Sequence, residues 1–150
     1  MRVKIKKIHP GAVIPFKTYE RDFCFDCVAT SCEEIAPNVY KYGLGFALEL
    51  DKDSLVYDED NTILSIDARP RSSVWRTGMV LSNCEGTIDE DYRGEIAAIF
   101  YHVMPNMPRY QVGDKVVQIK IGATLPAYFI EVDDLSPTER GNGGFGSTGK

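Results

Sequence analysis

The sequence predicts an all-β fold, a single-domain sandwich or barrel. Short apolar or period-two runs recur at close spacing, with compact turn signals between them, the pattern of many short strands. The best helical candidate, 96–103, is rich in β-branched and aromatic residues that suit a strand buried on both faces. A length of 150 residues fits one domain that can bury a real core without staples.

In chain order, Met1–Ile8 alternates and is stopped by His9-Pro-Gly11. Phe23–Ala29 has the aromatic and β-branched content of a strand and precedes the Ala36-Pro-Asn38 break. Tyr42–Leu50 and Thr62–Ala68 flank the acidic turn ending in Asp58-Glu-Asp-Asn61, with 51–61 as an acidic loop. Gly78–Leu81 and Glu95–Met104 follow, then the Pro105–Pro108 turn. Lys115–Ile121 starts from a Gly113-Asp turn, and Tyr128–Val132 is the last expected strand. The final fifteen residues hold five glycines and one aromatic ring, too little apolar surface to offset their ordering entropy. They read as a mobile arm, dividing the chain into a 1–135 β domain and a 136–150 tail.

Seventeen basic and twenty-two acidic residues leave a formal charge of −5, which argues against nucleic acid or a membrane surface as partner. An anionic ligand then needs a local basic cluster or a metal ion. No apolar run approaches the 18 residues of a spanning helix, and His9-Pro-Gly11 stands where a signal peptide needs its apolar stretch. The expected location is cytoplasmic. Of the four cysteines, Cys24 and Cys27 have a metal-like spacing. On a strand, however, side chains three apart point to opposite faces, so buried, reduced thiols are the default expectation.

Four segments carry chemistry. Asn83–Glu95 is acid-rich and brackets an Ile88-Asp-x-Asp-Tyr92 core between Gly86 and Gly94, the pattern of a tight hairpin presenting carboxylates beside an aromatic ring. Arg69–Trp75 puts arginine beside two hydroxyls, a possible phosphate clamp. Gly113–Ile121 places Gln118 among apolar neighbours, where a buried amide needs a partner. The tail fits GxGxxG and most of a P-loop, yet no helix follows to receive a phosphate. What survives is glycine-rich backbone whose N–H groups can wrap phosphate oxygens.

In this order the segments resemble the five motifs of the trimeric deoxyuridine triphosphatase (dUTPase) family. The matches are Phe25-Asp26, Pro70–Ser73, Asn83–Glu95, Gly113–Ile121 and Arg140–Thr148. The first departs most, with Cys24 and Cys27 flanking Phe25-Asp26 where the family has Ala-Gly before and an apolar residue after. The resemblance implies a jelly-roll-like β fold assembled as a homotrimer with sites at subunit boundaries. It also implies hydrolysis of dUTP to dUMP and pyrophosphate with Mg²⁺ on the triphosphate. Asp89 then matches the general base acting through water. Asn83, Gly86, Thr87 and Ile88 match the uracil hairpin, Tyr92 the ring against deoxyribose, and Phe145 the ring that stacks on uracil. Arg71, Ser72, Ser73, Gln118, Arg140, Gly144, Ser147 and Thr148 match phosphate contacts, and Asp26 a place near the metal, reached through water, or near the arginine of the second motif. Two alternatives stay open: the related dCTP deaminase branch, and a nucleotide-responsive regulatory module without catalysis. The Ile88–Tyr92 pattern and the complete arm favour phosphohydrolysis over both.

Overall fold

A computed structural model of the chain describes residues 1–51, 53 and 63–144. Ten strands are found among them: β1 Arg2–Lys7, β2 Phe25–Val28, β3 Ser31–Ala36, β4 Val39–Gly43, β5 Phe46–Asp51, β6 Ile63–Pro70, β7 Met79–Leu81, β8 Gly86–Asp89, β9 Ala97–His102 and β10 Lys115–Thr124. One 3-10 turn, Val74–Arg76, joins β6 to β7. All pairings are antiparallel, in sheets ordered β1-β5, β2-β10-β6-β8 and β3-β4-β9-β7. No helix among the described residues is long and apolar enough to cross a membrane.

Strand periodicity decides which face is buried. On β6, Leu64, Ile66 and Ala68 enter the core while Ser65, Asp67 and Arg69 take the other face. On β10, Val117 and Ile119 face inward, and Gln118, Lys120 and Gly122 share the outer face with β6's polar set. The sheet β2-β10-β6-β8 thus has an apolar side and a polar side. At the centre, Tyr42, Phe100 and Tyr110 meet edge to face, with ring centroids 5.5–6.2 Å apart. The Tyr42 hydroxyl donates to the Tyr110 carbonyl at 2.9 Å, and burial pushes its pKa up, so it remains a donor.

Five expectations are corrected. The 96–103 run forms a strand but buries one face only: Ile96, Ala98 and Phe100 enter the core while Tyr101 and Val103 are exposed. The Tyr42–Leu50 run is two strands, because Gly45 takes φ +74° and turns the chain from one sheet to another. A side chain at Gly45 would also meet the Thr30 hydroxyl at 2.8 Å. Tyr128–Val132 pairs with nothing among the described residues and lies outside every strand, with Phe129 fully exposed. The 83–95 segment does not close as a hairpin, since β8 joins β6 whereas β9 joins β4 and β7. Finally, only Cys27 is a buried thiol; Cys24 is half-buried, and Cys32 and Cys84 are exposed. Burial, with the Asp26 charge nearby, pushes the Cys27 thiol up to about 12, far from the reactive thiolate. Strand β3 was not foreseen. It is an exposed edge strand whose Ser-Cys-Glu-Glu-Ile-Ala sequence has no apolar period, and Asn38 turns it into β4 at φ 60°.

The 51–61 loop lies outside the described residues except for Asp51 and Asp53. Phe145, Ser147 and Thr148 are outside them too.

The aromatic centre gives a stability prediction. Tyr42→Phe keeps the ring but leaves the buried Tyr110 carbonyl without its donor, which costs about 1–3 kcal/mol. Urea unfolding at fixed protein concentration should show a lower midpoint at unchanged m-value. An unchanged midpoint would show that the hydroxyl contributes nothing.

Candidate active site

The divergence of β8 and β9 opens a wedge. β8 is an edge strand: one side pairs with β6, from Ser65↔Asp89 to Ala68↔Gly86. Its other side faces β9 across a gap, so every second residue there presents N–H and C=O groups that the sheet does not use. Two clefts line the gap. One of about 300 Å³ is bounded by Lys41, Thr87, Ile88, Asp89, Tyr92, Glu95, Ile96 and Ala97. A smaller one of about 140 Å³ includes Asn83, Gly86, Thr87, Ile88 and the β9 residues Ala97–Ile99. The Asn83 amide packs over Gly86, where a Cβ would meet its nitrogen at 3.1 Å. Main-chain groups, an amide, a carboxylate and a phenol therefore surround a narrow slot. Such a slot suits a flat ring with alternating donors and acceptors.

The second cluster stands where β6 ends. Arg71 donates from Nε to Asp26 Oδ1 at 2.8 Å and from Nη2 to Oδ2 at 3.3 Å, a fork-to-fork pair. A third Arg71 nitrogen reaches the Ser73 hydroxyl at 3.3 Å. Lys115 closes on the same carboxylate at 3.0 Å while lying over the Phe16 ring. Gln118 donates to the Pro70 carbonyl at 2.9 Å, which fixes its side chain against the start of the arginine loop. Asp26, Arg71, Ser72 and Gln118 share a cleft of about 490 Å³ with Phe16, Thr18, Tyr19, Asp22, Phe23 and Cys24. Two cations on one carboxylate leave the group a net positive charge. Asp22 on the same cleft wall sets a second carboxylate beside this group. Burial alone raises the Asp26 carboxyl, but hydrogen bonds from Lys115 and Arg71 more than reverse this and hold it below the ordinary carboxylate value.

Asp89 and Arg71 do not meet, although the Gly86 end of the slot is level with Ala68. Asp89 is level with Ser65, whereas Arg71 lies six residues further along the same strand direction. At about 3.3 Å per residue the separation is on the order of 20 Å. Asn83, Gly86, Thr87, Ile88, Asp89 and Tyr92 therefore come together around one slot, and Asp26, Arg71, Ser72, Ser73 and Gln118 around another cleft. Arg140 sits in a turn of the arm and donates to the Gly143 carbonyl at 2.8 Å; Gly144 follows it. Sequence reasoning missed Lys115, although its place in the Gly113–Ile121 motif, three residues from Gln118, was a signal. It also missed Lys41, which nothing in the sequence marks.

Fold and clefts together define an all-β protein with a narrow polar slot along one strand edge and a cleft holding an arginine–aspartate pair. Comparison with known proteins places it further. Residues 68–149 match the dUTPase family model. A deoxyuridine 5'-triphosphate nucleotidohydrolase of Helicobacter pylori (strain P12) is 38% identical over 152 aligned positions, covering 99% of this chain and 97% of that protein. The dUTPase of Staphylococcus bacteriophage 80alpha, solved with dUpNHpp, superposes at TM-score 0.79 and 17% identity over 99% of both chains. A variant dUTPase from phage phi11 of S. aureus, described as coordinating a structural Mg(II) ion, superposes at TM-score 0.71 and 14% identity over 91% of this chain. The chain belongs to the dUTPase family.

The Asp26 cluster predicts an acid signature. A carboxyl held below its ordinary value stabilises the fold above that value and loses the contribution as pH falls through the folded-state one. Unfolding midpoints measured below about pH 4 should fall less steeply for Asp26→Asn than for the parent. Parallel curves would mean that the cations do not stabilise the ionised Asp26.

Proposed function

We propose that this chain hydrolyses dUTP to dUMP and pyrophosphate, keeping uracil nucleotides out of DNA. The observation that carries the proposal is Asp89 at the outer end of the open β8 edge, with Tyr92 beside it in the same cleft. Uracil offers a ring N–H between two carbonyls, and a strand edge presents C=O and N–H groups that can answer both. Cytosine exchanges donor and acceptor and leaves buried groups unpaired. An extra methyl on the base crowds the narrow slot between β8 and β9. The Tyr92 ring would lie against deoxyribose, where it leaves no room for a 2′-hydroxyl.

In the chemical step Asp89 takes a proton from a water whose oxygen attacks the α-phosphorus, and pyrophosphate leaves on the opposite side. Arg71, Ser72, Ser73 and Gln118 would hold phosphate oxygens and align the leaving group. Asp26 holds Arg71 in place by two hydrogen bonds. Mg²⁺ would neutralise charge on the triphosphate when bound. The donor set fits a metal held by phosphate oxygens and water, as Mg²⁺ commonly is. Asp26 already receives Arg71 and Lys115 on its two oxygens, and its remaining lone pairs suit a metal-bound water better than direct ligation.

Because Asp89 and Arg71 lie at opposite ends of β6, one chain alone does not bring both to the same triphosphate. The reading therefore includes a homotrimer, in which one copy supplies the slot and another the phosphate cluster. The exposed run Leu125, Tyr128, Phe129, Ile130, Val132 and Leu135 supports it, as apolar surface that an added copy would cover. The arm of residues 136–150 would then close over the ligand, bringing Phe145 to the base and Arg140, Gly144, Ser147 and Thr148 to the phosphates. A cytoplasmic setting belongs to the same reading.

The direct test is Asp89→Asn, which keeps the shape and removes the proton acceptor. The kcat for pyrophosphate release should fall at least about a thousandfold, with dUTP affinity nearly unchanged. Turnover within tenfold of the parent would remove Asp89 from the role. Release of ammonia from dCTP by the parent protein would favour the deaminase alternative.

A further inference from the structure

Tyr92 is held in position by two neighbours to which neither the family motif nor the mechanism gives a task. Its hydroxyl donates to the Glu95 carbonyl at 3.2 Å, and its amide donates to the Asp89 carbonyl at 3.1 Å. The ring folds back over Gly94. A Cβ at that position would fall inside the phenol, against Oη, Cζ and Cε2. Gly94 is not among the positive-φ glycines, so an alanine backbone would be at ease there. The ring alone demands the missing side chain.

Glu95 is fixed in turn. Its Oε1 accepts from the Gly45 amide at 2.8 Å, at the corner between β4 and β5. The slot for that carboxylate exists because Gly43 has no side chain; a Cβ there would meet Glu95 Oε1 at 2.6 Å. On either side, Leu44 donates to Ile96 at 3.0 Å and Ile96 donates to Phe46 at 2.9 Å. The segment carrying Tyr92 is therefore clasped at its foot to the corner between β4 and β5.

We infer that Gly94 and Glu95 are positioning residues that set the depth of the Tyr92 ring, and through it the choice between deoxyribose and ribose. The inference rests on the reading of Tyr92 as the ring against the sugar. A methyl at Gly94 pushes the phenol outward and opens space beside C2′. Loss of the Glu95 carboxylate frees the foot of the segment and lets the ring drift. Glutamine keeps an acceptor for the Gly45 amide and holds the foot.

The experiment compares kcat/KM for UTP and dUTP in Gly94→Ala, Glu95→Ala, Glu95→Gln, Tyr92→Ala and the double variant Gly94→Ala/Tyr92→Ala, with thermal unfolding recorded for each. Gly94→Ala and Glu95→Ala should raise the UTP-to-dUTP ratio by about tenfold or more. Glu95→Gln should stay near the parent. The double variant should match Tyr92→Ala, because the methyl acts only through the ring; this comparison still decides the matter if Glu95→Ala does not fold. If Tyr92→Ala moves the ratio while Gly94→Ala and Glu95→Ala do not, the brace is wrong and the sugar gate stands. If Tyr92→Ala leaves the ratio unchanged, the sugar-gate reading fails, and the brace with it.

Discussion

The pairing of β6 with two neighbours at once decides where every polar group of the site can stand. β10 takes one side of β6 over eight residue pairs, from Val117↔Pro70 to Thr124↔Ile63. β8 takes the other side over four, from Gly86 to Asp89. A slip of one residue in either ladder would turn the apolar set outward and the polar set into the core. The register that protects Leu64, Ile66 and Ala68 therefore also fixes the level of Asp89 and the exit of Arg71 beyond Pro70. Function inherits its coordinates from the packing of the core.

The same register answers the charge problem of an acidic protein that handles a triphosphate. Gln118 faces Asp26 on one side and Arg69 on the other, so β10 carries its amide to the end of the sheet where Arg71 turns back. Arg71 and Lys115 converge there on one carboxylate. Asp26 orders two cations without cancelling both. Clustered charges at short range prevail over a diffuse −5 that salt screens within about 10 Å.

Much of this was legible in the residues, and the gaps have physical causes. Strands with one buried face declare themselves by period, which is why β6 and β10 were expected near their observed positions; β1 alternates although no residue of it is buried, and β9 was read from its apolar content. β3 is exposed along its whole length and has no period to read. The split of Tyr42–Leu50 at Gly45 depends on a backbone angle that composition does not encode. Tyr128–Val132 has strand chemistry without a partner among the described residues, and a pattern cannot say whether a partner is present. For the candidate site, Asp89, Tyr92 and Arg71 could be singled out in the sequence because few residue types can do the chemistry proposed for them. Lys115, Gly94 and Glu95 act by holding others in place, and such roles appear only when distances do.

The central claim is that the slot of one chain and the phosphate cluster of another make one dUTP-hydrolysing site. The direct measurement is activity regained on co-refolding two inactive variants, Asp89→Asn and Arg71→Ala, in equal amounts. Each variant spoils one half of every site it forms alone. Random assembly in a closed ring pairs an intact Asp89 with a neighbour's intact Arg71 in about one quarter of sites. The account predicts pyrophosphate release from dUTP near that fraction of the parent rate. A mixture that forms mixed oligomers and yet stays as inactive as its components would contradict it.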